Sequence, residues 1–469
     1  MRNLPKKLST VAAALLLGVT LAGTTAATSP AVAAVTPASV HTVDFAVITD
    51  TTGKTAPATD AQLRALVTKV SEYYSSQTSG AISAFSVGTI ARYKTAITDA
   101  CNMPYLTTEG AVKVGKTISA YTAANTGRHI VVVTPCTSSA PRGTMGMGIQ
   151  SGGQVIAGLK DITTNPGHSL TVLAHELGHN LGMMHANSFS CAAPIVDAPW
   201  VGPATRPTLG NGCVEDEYHD RYDVMGTGGT LTGTSPLPAM SISYKDMLGV
   251  AGGLLTPVTK SGTFTINAAS ATSGIRGLKI TDPRTNEVYW VEYRNAAGRD
   301  TYADYTQLTG KGVGFRILKQ KPITFSKTSE NIGYWSSPKL WWGSYPSGGT
   351  FTSHSGGVKV SGTFNGTTAK LTVTVTPTLL NFAGTAAPTI SGKAAVGQKL
   401  TAVAGAGWAP APDTSSYQWS RDGQAIAGAV AATYTVTTAD RAHNLTVDVT
   451  RVKAGYNPVK VRSTAVRPG

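Results

Sequence analysis

Charge is scarce in this chain. Asp, Glu, Lys and Arg together make up 14% of its 469 residues, which disfavours long charged helices and favours strand-rich, extracellular-type architecture. What charge there is leans positive, with 39 Lys and Arg against 25 Asp and Glu. These basic residues are dispersed, and no nucleic-acid-binding module accompanies them, so nucleic acid is not an expected partner. Histidines number nine and cysteines four. Beyond the N-terminal segment there is no second long apolar run and no C-terminal anchor, so no membrane association is expected of the mature chain.

Hydrophobic residues at 41% suffice for real cores, and the length allows two or three domains. Residues 1–34 read as a secretory signal. Arg2, Lys6 and Lys7 form a positive start, "VAAALLLGVTLAG" is an apolar stretch too short to span a bilayer, and Ala31 to Ala34 offer small residues for cleavage. A lone arginine argues against the twin-arginine route. A secreted, extracellular, monomeric protein is the expectation. Removing three positive side chains takes the net charge from +14 to about +11 by counting. That charge suits solubility, or attraction to anionic cell-wall or matrix polymers.

An even number of cysteines in a secreted chain suggests two disulfides. Four cysteines permit three pairings. The sequence-local one, Cys101–Cys136 and Cys191–Cys213, is favoured.

From residue 35 to 254 strands alternate with helices. "TVDFAVIT" is a strand, "DAQLRALVTKVSEYYSSQTSG" an amphipathic helix, "SAFSVGTIARY" a strand, "TTEGAVKVGKTISAYTAANTG" a second helix ended by Gly127, and "RHIVVVTP" a buried strand. "MGMGIQSGGQVIAGL" reads as a glycine-broken edge strand or hairpin. This is an α/β sheet domain. Residues 255–377 are instead short alternating runs between turns, an all-β, sandwich-like signature. Residues 378–387 read as a linker. In residues 388–469, Trp419 stands on a strand before an Asp422–Gly423 hairpin turn. This last stretch resembles the immunoglobulin-like modules at the ends of secreted actinobacterial proteins, which implies a small Ig-like β domain.

The informative segment is "HELGHNLGMMH", His175 to His185. Asn165, Pro166 and Ser169 supply helix-start signals ahead of it. Leu170, Leu173, Leu177 and Leu181 fall on one stripe of that helix, with His175 and His179 on the opposite side. Residues i and i+4 lie about 5–6 Å apart at Cβ, so their imidazoles can meet one ion at about 2.0–2.1 Å, the normal Zn–N distance. A third ligand needs the chain to bend. Gly182 tolerates a positive φ, after which His185 can swing back. Three protein ligands leave the fourth position of a tetrahedral zinc open, which marks a catalytic site. Glu176, beside His175, is placed to take a proton from water and pass it to a leaving amine.

These residues match His-Glu-x-x-His-x-x-Gly-x-x-His, the long zinc motif of the metzincin metallopeptidases. Forty residues on, "RYDVMG" resembles that clan's Met-turn, with Met225 in the methionine position. The resemblance covers roughly residues 42–249. It implies one catalytic Zn2+ held by His175, His179 and His185, Glu176 as general base, and Met225 as an apolar floor beneath the imidazoles. "LPAMSISYKDMLGV", followed by a β domain containing "VEYRN", looks most like gametolysin-type peptidases. The zinc motif itself is equally close to adamalysins. Astacins and serralysins carry a tyrosine two residues after the Met-turn methionine, where this chain has Thr227. No spare cysteine precedes the first strand, so cysteine-type latency is not expected.

The expectation is a multidomain secreted zinc endopeptidase: an α/β metzincin-type catalytic domain, an all-β sandwich-like domain and a small Ig-like domain. It would hydrolyse extracellular proteins or peptides laid along the edge strand near residues 146–159. The alternatives are a wall- or matrix-binding protein with a recognition-only peptidase domain, and a hydrolase of cell-wall peptides. Three features are set aside. His168 lies about 10.5 Å of helix rise from His175, too far to share its ion. Val214 to Asp220, "VEDEYHD", is acidic enough for Ca2+ but matches no calcium spacing and reads as a solvated loop. Trp335, Trp341 and Trp342 could stack on sugars but suit strand packing as well.

Overall fold

The computed structural model describes residues 38–99, 102–122, 126–135, 146–149, 152–159, 162–202, 207–220, 222–226, 237–301, 313–321, 338–341, 347–384, 386–453 and 455–469. Cys101, Cys136, Thr227, Trp335 and Trp342 lie outside them. Among the described residues no helix is long and apolar enough to cross a membrane.

The first unit is a five-stranded sheet in the order β2-β1-β3-β5-β4. Its strands are β1 (Val40–Thr49), β2 (Ala84–Lys94), β3 (Arg128–Val133), β4 (Gly146–Gly148) and β5 (Gln154–Ala157). The first four neighbours run parallel, and β4 closes the edge antiparallel to β5. Alternation sends Val131, Val133, Val155 and Ala157 to one face, where they pack on α1 (Asp60–Gln77) and α4 (Pro166–Asn180). Ile130, Val132 and Ile156 face the other way, onto Leu106 of α2 (Met103–Lys113) and Tyr121 of α3 (Ser119–Thr122). A sheet covered on both faces needs such apolar runs. Thr59 and Gln62 cap α1 reciprocally.

The single helix expected over 107–127 is two. It begins earlier, at Met103 with Pro104 in its first turn, and ends at Val114. Gly115 then takes φ +76°, a left-handed residue that stops a helix.

The second unit is a sandwich. One sheet has the order β10-β12-β13-β14-β15-β6-β9. It comprises β6 (Ser188–Ser190), β9 (Val214–Asp216), β10 (Leu255–Val258), β12 (Gly277–Thr281), β13 (Val288–Arg294), β14 (Gly314–Gln320) and β15 (Pro338–Trp341). The other, β11-β18-β17-β16, comprises β11 (Gly262–Asn267), β16 (Thr350–Thr352), β17 (Val358–Phe364) and β18 (Thr368–Val375). Ile280, Val291, Ile317, Phe351, Val360 and Leu371 form the shared core. This sheet crosses the boundary expected at residue 255, because β15 pairs with β6. A small hairpin of β7 (Trp200–Val201) and β8 (Thr208–Leu209) and the disulfide Cys191–Cys213, Cα atoms 4.3 Å apart, lie in the same excursion. Helix α5 (Ile242–Met247) precedes β10.

The C-terminal unit is two antiparallel sheets. One is β19 (Thr389–Ser391), β20 (Lys399–Val403) and β23 (Thr433–Thr435). The other is β22 (Gln424–Ala425), β21 (Thr414–Arg421), β24 (Leu445–Val452) and β25 (Val459–Arg462). Fully buried Trp419 packs with Leu400, Val436 and Val447 between them. The stretch read as a linker is strapped to this unit. Leu380 N–H donates to Gly455 O (2.8 Å), Asn457 N–H to Leu380 O (2.8 Å), and Ala383 exchanges two bonds with Ala409. Phe382 meets Trp408 edge-to-face and Tyr456 at a tilt, both ring pairs at 5.2 Å. Its alanine and proline content signalled irregular backbone, which does not imply freedom when a neighbouring strand offers partners.

Candidate metal centre

Helix α4 opens on Asn165, whose side chain accepts the His168 N–H at 3.1 Å. Leu173, Leu177 and Leu181 are buried on its core face, leaving His175 and His179 on the other. The helix stops at Leu181, Gly182 takes φ +98°, and the chain turns back to bring His185 beside them. The ligating atoms of His175, His179 and His185 lie within 4.8 Å of one another.

Each ring is held from behind. His175 Nδ1 lies 2.8 Å from Val224 O, His179 Nδ1 2.9 Å from Met183 O, and His185 Nδ1 2.7 Å from Glu217 Oε1. All three partners are acceptors, so each Nδ1 carries the proton and each Nε2 an open lone pair. Two of those lone pairs face each other, His179 Nε2 and His185 Nε2, across 3.1 Å. Facing lone pairs repel unless a cation lies between them. Ligands about 2.0–2.1 Å from a tetrahedral ion stand roughly 3.3 Å apart, so the donor set fits zinc in both kind and spacing. Burial, with the neighbouring His185, pulls His175 down to about 4. Burial and the other two imidazoles hold His179 well below its usual range. Neutral imidazole is the ligand form.

Glu176 is buried against β4. Burial pushes its carboxyl up to about 8, opposed by the Gly148 N–H that donates to it. The edge strand reaches this close only because of its glycines. A Cβ on Gly146 would stand 2.5 Å from Glu176 Oε1, and one on Gly148 would strike Glu176 O and approach His179 Cβ to 3.1 Å. Met225 is fully buried. Its carbonyl accepts the Ala186 N–H at 2.8 Å, and its own N–H donates to Asp223 Oδ1 at 3.0 Å. The turn thus lies directly under the segment that carries His185.

Two residues here went unread in the sequence. Glu217 orients His185, and Tyr218 packs its ring on His185 with centroids 3.7 Å apart. Both belong to "VEDEYHD", which is largely exposed up to His219 and buried at Asp220. Its carboxylates are spent on separate partners: Glu215 on Asn187 and Lys321, Glu217 on His185, Asp220 on Arg316. Pointing at different groups, they do not converge as calcium ligands must. A second cluster, Asp197, Glu287 and His354, has its cation already. Lys319 Nζ lies 3.2 Å from Asp197 and 2.9 Å from Glu287.

The sequence model of the reprolysin-like metallopeptidase family M12B matches residues 60–186. That span covers well under half of the chain and ends one residue past His185. No curated protein matches. The match supports a zinc-dependent metallopeptidase, and the three histidines stand where its ion would be held.

Proposed function

We propose that the protein is a secreted zinc endopeptidase that cuts extracellular proteins or peptides. The observation that carries this reading is the convergence of three Nε2 lone pairs beside buried Glu176, beneath β4, the edge of the sheet among the described residues. His175, His179 and His185 would hold the ion, with Met225 as the floor of the turn beneath them. Zinc, when bound, supplies an acidified water and polarises the scissile carbonyl. The chain does the rest. Among the described residues strand β4 is the sheet's edge, so its outward N–H and C=O groups can pair with an extended substrate, with Met147 and Ile149 exposed beside it. Pairing there sets the scissile bond over Glu176. A cation held by the histidines favours the ionised form of Glu176 against the effect of burial, and that carboxylate takes the proton of the attacking water and hands it to the leaving amine.

The N-terminal segment 1–34 would direct secretion, and residues from about 380 onward would form an Ig-like accessory module. Within the metzincins, the β unit with "VEYRN" favours the gametolysin type. Digestion of a peptide library by the purified chain tests the reading. Cleavage should vanish with a chelator and return with added zinc. Capture of target proteins without cleavage of any peptide would leave the domain a recognition module.

A further inference from the structure

Resting on that reading of the site, we propose that Arg316 is a positioning residue for the metal centre, so that the second, all-β unit completes a site whose ligands lie wholly in the first. Two of the groups that orient the imidazoles, the Val224 carbonyl and the Glu217 carboxylate, lie close in sequence, within residues 217–220 and 222–226. These residues are anchored at Asp220. The Asp220 N–H donates to Ala186 O at 3.1 Å, and the Ala186 N–H donates to Met225 O at 2.8 Å. Ala186 directly follows His185, so Asp220, His185 and the turn at Met225 form one hydrogen-bonded unit.

The Asp220 carboxylate is 2% exposed and costly to bury without a partner. Its partner comes from β14. Arg316 Nη2 lies 3.1 Å from both Asp220 oxygens, and Nη1 lies 3.1 Å from Glu292 Oε1 on β13. The guanidinium also covers the Tyr222 ring at 4.3 Å. Glu292 is held in turn by Arg294 Nε at 2.8 Å and accepts the Ile242 N–H at 3.0 Å. Arg316 itself is 1% exposed. One rigid, planar group on a central strand of the sandwich therefore fixes the loop that aims two of the three ligands. Groups behind metal ligands typically change metal affinity by about 10–100-fold.

A purely structural ion pair would predict loss of folding alone, so the variants separate the two roles. Removing one partner of a buried pair is strongly destabilising, whereas neutralising both is often tolerated. D220N/R316M in the full chain should therefore fold, with a cooperative melt near that of the wild type. Its zinc affinity, read by competition with a chromophoric chelator, should nonetheless fall about 10–100-fold, and kcat should fall with it. R316K keeps the charge but loses the fork that spans Asp220 and Glu292, and should fold with zinc affinity lowered several-fold. Wild-type zinc affinity in either folded variant overturns the inference. A wild-type chain that takes up no stoichiometric zinc overturns the peptidase reading itself.

Discussion

The glycines of β4 offer the sharpest structural perturbation. A methyl group added at Gly146 would lie 2.5 Å from Glu176 Oε1, 2.7 Å from Cγ and 2.8 Å from Cδ. Relaxed carbon contacts begin near 3.5 Å, so the Glu176 side chain must retreat by on the order of 1 Å. It can do so, because these atoms are the far end of a flexible side chain. A misplacement of about 1 Å can cost about 10²-fold in rate, equivalent to about 2.7 kcal/mol of barrier. Gly146→Ala should thus lower kcat/KM for a peptide substrate about a hundredfold. Zinc content should be unchanged and stability should fall by no more than about 1–3 kcal/mol, the usual cost of overpacking. Gly148→Ala is the control. Its methyl meets the Glu176 carbonyl and His179 Cβ, which cannot step aside, so strand and helix must part and stability falls as well. Steady-state kinetics, metal analysis and urea unfolding on both variants decide the matter. Gly146→Ala with wild-type kcat/KM would show that Glu176 does not act from its observed place.

Three further outcomes follow from the same structure. Replacing Cys191 and Cys213 by Ser opens a closure spanning 22 residues and should cost about 3 kcal/mol in the chain-entropy account; an unchanged urea midpoint would contradict it. His129 is pulled down to about 3 by burial and by His41, so it is neutral in the fold and carries no penalty above the unfolded value of about 6.5. As pH falls from there toward 3 the unfolded chain alone binds the proton, and stability should drop by up to about 1.4 kcal/mol per unit. His129→Gln should flatten that slope, and an identical slope would place the titration elsewhere. A chain ending at residue 377 should keep peptidase activity, whereas one ending at 388 keeps Phe382, now stripped of Trp408 and Tyr456, and should aggregate more; equal behaviour would mean that the strap contributes nothing.

Some of this was legible because it depends on short-range pattern. The leucine stripe, the i, i+4 histidines and the glycine bend lie within the thirteen residues from Leu170 to Gly182, and β3 announces itself by the unbroken apolar run Ile130 to Val133. The rest depends on partners far apart in sequence. Arg316 and Asp220 are 96 positions apart, and nothing in "GFRIL" or "VEDEYHD" alone says that they meet. The acidic run looked solvated because charge is normally at the surface. Most of it is at the surface, and only Asp220 goes under, because the second unit supplies the matching guanidinium of Arg316. The helix over 107–127 was misjudged for a local reason, since Gly115 interrupts a pattern whose apolar spacing continues past it.

The central claim is that Glu176 moves the proton while the histidines hold the metal, and a pair of variants separates these roles. Glu176→Gln keeps the side-chain shape and all three imidazoles. It should retain about one zinc per chain while hydrolysis falls by at least about 10²–10⁴-fold. His179→Ala should instead lose the metal, since one of three protein ligands is gone. Zinc content and turnover measured side by side on both proteins give the answer. Normal turnover by zinc-loaded Glu176→Gln would contradict the account, however closely the three histidines converge.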